Sequence, residues 1–150
     1  MENWRNLFNL ETRTRAIRSK SDRFIEGIRK AFDDEGSEGL GTKLEINDDQ
    51  TVVALIKTPV AEARVCLNWS LASSLDPVGV LKIERKQFDQ NGGDEWLKVF
   101  EIVVPKEGHP HFERDGVRRE WQLSEMDARN FDDICFAAAV FIVYHIAGAG

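Results

Sequence analysis

The sequence contains little cysteine, with only Cys66 and Cys135 among its 150 residues. Two cysteines are too few for a disulfide framework, and these two are not in a C-x-x-C spacing. Each lies among apolar neighbours, where a free thiol behaves as a small hydrophobic side chain. The first residues also lack the apolar core of a secretory signal peptide. We therefore predict a protein with reduced cysteines that resides in the cytoplasm.

Motifs of catalysis and cofactor binding are lacking as well. The sequence has no G-x-S-x-G nucleophile elbow, and Gly92-Gly93 is not followed by the helix and Lys-Ser/Thr of a P-loop. His109 and His111 have Glu113 nearby, but a metal site usually needs three or four ligands. We interpret this segment as a turn before a strand. The sequence thus predicts no catalytic residue, no cofactor, no bound metal and no enzymatic activity.

An uninterrupted apolar segment of membrane-spanning length is also missing. The apolar run 134–147 has 14 residues, whereas a bilayer span needs about 20. Asp132 and Asp133 precede this run. On a helix, the face that carries these two acids continues with apolar residues: Phe136, Val140, Val143 and Tyr144. A helix that is apolar all round is buried in protein or in lipid. We predict a helix over 124–148, capped by Ser124, that is buried in protein with no membrane involved.

Burial of such a helix requires cover on both sides, and one sheet face can cover only one. The first helix or a second copy of the chain would have to cover the other side. A homodimer through the C-terminal helix is therefore a predicted partner arrangement.

The residues that are present indicate a single domain over 1–150. Hydrophobic residues make up 42% of the chain and charged residues 31%, which is a globular composition. Residues 1–32 carry eight Lys/Arg against four Asp/Glu, whereas residues 33–150 carry twelve against twenty-two. The net charge of −6 therefore combines a basic N-terminal segment with an acidic body. An acidic body favours a partner with a basic surface.

Residues 1–34 have the periodicity of a basic amphipathic helix. Small or apolar residues recur at steps of three and four along one stripe: Leu10, Thr14, Ile17, Ser21, Phe24, Ile28 and Ala31. From residue 42 to 123 the period changes to two, which predicts six or seven antiparallel strands. Asp115-Gly116 is typical of a two-residue hairpin and would place Glu113 opposite Arg118.

Strands in a row between two helices predict an α+β fold. We expect an N-terminal helix, an antiparallel meander sheet, and a C-terminal apolar helix packed on one sheet face. The other face would stay open, and its predicted polar residues come from two neighbouring strands: Glu62, Arg64, Asn68, Lys82, Glu84 and Lys86. An open face, a free edge and an acidic body suit a non-enzymatic protein-binding module. Such a module would be a small adaptor, chaperone or inhibitor that docks on another protein, including one that handles nucleic acid.

Two alternative functions are compatible with the sequence. Basic residues of the first helix would neutralise nucleic-acid phosphates: Arg13, Arg15, Arg18, Lys20 and Arg23. A pI near 5.1 disfavours this alternative. In the other alternative, the protein carries a small ligand in a pocket between sheet and helices, lined by aromatic residues: Trp69, Trp96, Phe100 and Trp121.

Overall fold

The computed structural model describes residues 8–71, 74–122 and 128–148. Its helices are α1 (Leu10–Asp33), a short 3₁₀ helix (Glu35–Leu40) and α2 (Ala128–Gly148). Its strands are β1 (Lys43–Ile46), β2 (Val52–Lys57), β3 (Glu62–Leu71), β4 (Pro77–Phe88), β5 (Asp94–Val104), β6 (His111–Arg114) and β7 (Val117–Glu120). Residues 1–7 of the predicted first helix and 123–127, which include the predicted Ser124 cap, lie outside the described residues.

The seven strands form one antiparallel meander in which the order in space follows the order in the chain. This confirms the predicted α+β class and sheet type. The hairpin between β6 and β7 turns at Asp115 and Gly116, whose φ angles of 54° and 76° are the left-handed values of a two-residue type I′ turn. Glu113 lies opposite Arg118, as the hairpin chemistry predicts.

The apolar stripe of α1 packs on the sheet. At Gly79 of β4 a Cβ would come 2.9 Å from the Ile17 Cγ2 atom, so the absence of a side chain lets helix and sheet approach closely. Beyond the helix end, the buried Ser37 hydroxyl lies 2.6 Å from a carbonyl oxygen of the last turn. This contact satisfies one of the carbonyls that a helix end leaves without an intrahelical partner.

α2 packs against α1 and against the part of the sheet near β5 and β6. The two helices meet at Gly27, where a Cβ would come 2.5 Å from the Cys135 Sγ atom. Aromatic rings with centroids 4.7 to 6.4 Å apart fill the region below α2: Phe100, Phe112, Trp121 and Phe141. Arg85 of β4 donates a 2.8 Å hydrogen bond to the carbonyl oxygen of Ile146 and so caps the C-terminal end of α2.

Among the described residues, one side of α2 is buried and the other is exposed. That side carries Cys135, Ala138, Ala139, Ile142 and Ile146, all at most 3% exposed. On the opposite side Phe136 is 39% exposed, Val140 38% and Tyr144 67%. Within a single chain, the predicted burial of this helix is thus met on one side only over residues 130–148, because α1 and the sheet contact the same side of the helix.

Both helices lie on the same face of the sheet. α1 contacts β1, β4 and β5, and α2 contacts β5, while the buried side chains of these strands point toward the helices. No element in the described part of the chain covers the opposite face. This open face and the exposed side of α2 are therefore the two surfaces on which a partner could dock.

Candidate protein-interaction site

The six predicted polar residues lie together on the open face of the sheet. Side chains alternate between the two faces of a strand, so residues two apart share a face. In the register of β3 with β4, Arg64 is opposite Glu84 and Lys82 is opposite Cys66. Asn68 is opposite Val80. The predicted alternation of β3 and β4 is therefore present in the structure.

Four of the six residues contact charged neighbours on this face. The Arg64 Nε donates a 2.8 Å hydrogen bond to a Glu84 carboxylate oxygen, and its guanidinium lies 4.4 Å from the centre of the Trp96 ring. The Lys86 Nζ lies 3.7 Å from a Glu62 carboxylate oxygen. Partly exposed pairs of this kind contribute little stability. They do neutralise this half of the face and hold its side chains in place.

Lys82 and Asn68 differ from the other four. Within the described ranges, neither side chain makes a hydrogen bond or an ion pair, although both are half-buried. Half-buried valines lie beside them on the same face: Val78, Val80 and Val103. This apolar patch was not predicted. Val78, Val80 and Lys82 are two residues apart along β4, and this spacing alone places the two valines on the same face as Lys82. The two unpartnered polar groups and the patch could all be used by a partner.

β6 separates from β5 after a single pair. Val103 lies opposite His111, and no other pairing joins the two strands among the described residues. Residues 94–101 of β5 therefore have a neighbouring strand only on the β4 side. Their backbone N–H and C=O groups on the other side form a free edge, which is a template for an additional strand.

The separation of β5 and β6 opens a cleft of 690 Å³. Phe100 and Phe112 line its apolar part, with ring centroids 5.2 Å apart. The exposed Lys98, Glu101 and Glu113 line its polar part. One place in the molecule thus combines a free strand edge, an aromatic surface and charges of both signs.

His145 of α2 also lines this cleft, and its ring nitrogens contact neighbouring groups. Its Nδ1 lies 2.9 Å from the carbonyl oxygen of Phe141, four residues earlier in the helix. Its Nε2 lies 3.5 Å from a guanidinium nitrogen of Arg114, and the ring stacks on Phe100 at 5.1 Å. A proton on Nδ1 and a lone pair on Nε2 satisfy both neighbours. These contacts give His145 a structural role between helix and sheet.

The four aromatic residues predicted to line a ligand pocket do not form one group: Trp69, Trp96, Phe100 and Trp121. Phe100 and Trp121 are in contact below α2, with ring centroids 6.4 Å apart. The register of β4 against β5 shifts at Val99, which is the additional residue of a β-bulge. The extra residue reverses the alternation, so Trp96 lies on the open face beside Arg64 while Phe100 packs under α2. Trp69 lies 5.7 Å from the Arg18 guanidinium instead. The expected common pocket is therefore not formed by these rings.

The arginines in the first half of α1 contact groups of the protein itself. Arg13 forms a 2.6 Å ion pair with Asp76, and Arg15 pairs at 2.7 Å with Glu11 one turn earlier. Arg18 donates to a backbone carbonyl between β1 and β2 at 3.3 Å. These contacts point to different parts of the molecule, which disfavours one continuous surface for phosphates.

The remaining basic candidates, Lys20 and Arg23, also contact the protein. The Lys20 Nζ donates to the carbonyl oxygen of Pro105 at 3.0 Å and to that of Gly108. It thus fixes the loop between β5 and β6. The Arg23 guanidinium lies 4.8 Å from the centre of the Phe131 ring on α2. Four of the five predicted phosphate-binding residues therefore contact other parts of the protein in this structure, whereas Arg15 pairs with Glu11 within α1.

Both thiols are held in their protonated form. Burial, together with a hydrogen bond to Glu84, raises the pKa of the Cys66 thiol to about 11, and burial raises the pKa of Cys135 to about 12. A protonated thiol is a poor nucleophile. The His111 Nδ1 lies 3.1 Å from the carbonyl oxygen of His109, in the turn before β6. Among the described residues, no group of three His, Cys, Asp or Glu side chains is placed to hold a metal ion.

By length and composition alone, the segment Asn130–Gly148 could cross a membrane, with a mean hydropathy of 1.6 and 28% of it buried. It reaches this length only because it includes Asp132 and Asp133. The same length and composition also occur in helices that pack in the core of soluble proteins.

No family model, curated protein or solved structure matches this chain. Its surfaces and their chemistry are therefore the basis for proposing a function.

Proposed function

We propose that this protein binds an extended segment of another protein by strand addition along the free edge of β5. The observation that supports this most strongly is the single pair between β5 and β6, which leaves residues 94–101 with a strand on one side only in the described part of the chain. An added segment would pair its backbone with the unpaired groups of this edge. In this mode of recognition, main-chain hydrogen bonds supply affinity and the flanking pockets supply specificity.

Side chains of an added segment would point alternately to the two faces of the sheet. On the helix side they would meet Phe100 and Phe112 in the cleft, which suits an apolar residue. On the open side they would meet Lys98 and Glu101, which suits polar or charged residues. The expected ligand therefore alternates between apolar and polar residues.

Charge favours a partner with a basic surface around that segment. Residues 33–150, which contain the sheet and α2, hold most of the acidic side chains of a chain with net charge −6. Complementary charge accelerates encounter and disfavours acidic competitors. A protein with this activity would serve as an adaptor, chaperone or inhibitor, and the proposal involves no catalytic step.

The test uses peptides selected from a displayed random library on the purified protein, followed by amide NMR spectra of the complex. We expect enriched peptides with alternating apolar residues, and the largest shifts at amides 94–101 and 111–114. Methylation of alternate backbone nitrogens of a selected peptide should abolish binding, because strand addition requires those N–H groups.

A matched pair of variants tests the location. Glu113→Trp places a large side chain in the cleft and should weaken binding at least tenfold. Glu45→Trp makes the same exchange at an exposed position of β1, at the opposite edge of the sheet, and should leave binding unchanged. Peptides whose shifts map to α1 or to β1 and β2, or that bind Glu113→Trp as tightly as the wild type, would show that the proposal is wrong.

A further inference from the structure

The exposed side of α2 is an apolar stripe with no cover among the described residues. Phe136, Val140 and Tyr144 follow one another at four-residue intervals and are 38–67% exposed. Ala137 and Ala147 lie on the same side and are also exposed. Contiguous apolar surface of this kind usually marks an interaction site.

Charged groups of opposite sign stand at the two ends of this stripe. Asp133 continues the line of the stripe toward the start of α2 and is exposed. At the other end, Tyr144 and Ala147 share a cleft of 710 Å³ with Arg114 and Lys98. Within the described residues, neither Asp133 nor Arg114 forms an ion pair.

Asp133 and Ala147, which lines the same cleft as Arg114, lie symmetrically about Val140 on α2. Asp133 precedes Val140 by seven residues and Ala147 follows it by seven, which is about 10 Å along the helix in each direction. Two antiparallel helices related by a twofold axis at Val140 would place Asp133 of each copy beside Ala147 of the other. The acidic end of one stripe would then meet the basic end of the other, twice.

We propose that the stripe is the interface of a homodimer in which α2 packs antiparallel against α2 of a second copy. The apolar centre and the two Asp133–Arg114 contacts are self-complementary, as an isologous twofold interface requires. A lipid bilayer is the other environment for an apolar helix side. It would have to accept the Asp133 carboxylate on the same side, and a charged side chain is disfavoured in the hydrocarbon. The inference does not depend on the proposed peptide site.

The mass of the protein in solution tests the interface, measured by sedimentation equilibrium over a concentration series. The wild type should be a dimer. Val140→Glu should weaken the dimer at least 100-fold, because the substitution buries two carboxylates at the axis. Phe88→Glu, at a 77% exposed apolar residue of the β4–β5 hairpin, is the matched control and should remain dimeric. Far-UV circular dichroism and thermal unfolding show that each variant is folded.

Exchange of the end charges tests the orientation. Asp133→Arg and Arg114→Glu should each weaken self-association about tenfold, since each homodimer then holds two like-charge contacts. A mixture of the two variants restores both opposite-charge contacts, so heterodimers should form with near wild-type affinity.

Four results would overturn the proposal. The first two are a monomeric wild type and a dimeric Val140→Glu variant. The third is a mixture of the two charge-exchange variants that associates no more tightly than either variant alone. The fourth is a wild-type protein that sediments with phosphatidylcholine–phosphatidylglycerol vesicles while Val140→Glu does not. The last result would assign the stripe to a membrane. Peptide binding at β5 should persist in Val140→Glu, so the two proposals fail separately.

Discussion

Ser21, in the middle of α1, places a polar group in the core. Its side chain is fully buried and its hydroxyl has no hydrogen-bond partner within the described residues. A buried hydroxyl without a partner costs about 1–3 kcal/mol of stability. Replacement by alanine removes this cost and adds about 0.5 kcal/mol of helix propensity. Loss of the oxygen leaves a small void that offsets part of the gain. We therefore expect Ser21→Ala to raise the free energy of unfolding by about 1 kcal/mol or more.

Ser19 supplies the matched control, because it lies on the same helix and is exposed. Ser19→Ala should gain only the propensity, about 0.5 kcal/mol. Urea unfolding of both variants at one protein concentration gives the two free energies, and the m-values check that the unfolded states are comparable. In a chain of this size, a gain of about 1 kcal/mol raises Tm by about 2–4 °C. If Ser21→Ala is no more stable than Ser19→Ala, the Ser21 hydroxyl is satisfied and the reasoning is refuted.

Two further predictions concern the cysteines. Gly27→Ala should lower the free energy of unfolding by about 2 kcal/mol, because its Cβ would lie 2.5 Å from the Cys135 Sγ. Adding Cys135→Ala should recover part of this loss of stability. No recovery in the double variant would contradict the contact between the two helices. The pKa of the Cys66 thiol is raised from 9.0 to about 11 in the folded protein, so the stability linked to it is present below pH 9 and is lost as the pH rises to 11. Over that range the wild type should lose about 1–2 kcal/mol more than Cys66→Ala, and parallel pH profiles in urea unfolding would contradict the prediction.

Local periodicity was enough to predict the elements and much of the open face. The stripe of α1, the strand alternation around Arg64 and the Asp115-Gly116 hairpin all depend on residues within a few positions of each other. Backbone geometry imposes periods of 3.6 and 2 on any helix or strand. The residues that face the same way can therefore be read from spacing alone. The same rule identified the side of α2 on which Phe136, Val140 and Tyr144 lie.

Contacts between distant parts of the chain could not be predicted in this way. Lys20 meets the carbonyl of Gly108, and Arg13 meets Asp76. Both basic residues were candidates for binding nucleic-acid phosphates, and both contact the protein itself. The spacing of residues along the sequence does not predict which acidic side chain or carbonyl oxygen a long basic side chain will contact.

The sequence by itself determined the α+β class, an antiparallel meander of six or seven strands and the identity of the open face, because each follows from short-range spacing. Only the tertiary structure decided that Val99 is a bulge, that β6 leaves β5 after one pair, and that one side of α2 stays exposed. A bulge or a separation depends on how a strand matches its neighbour, and exposure depends on which elements pack against a surface. Strand pairing and packing both involve segments that are far apart in the sequence. The free edge of β5 and the exposed side of α2, on which the two proposals rest, are features of this kind.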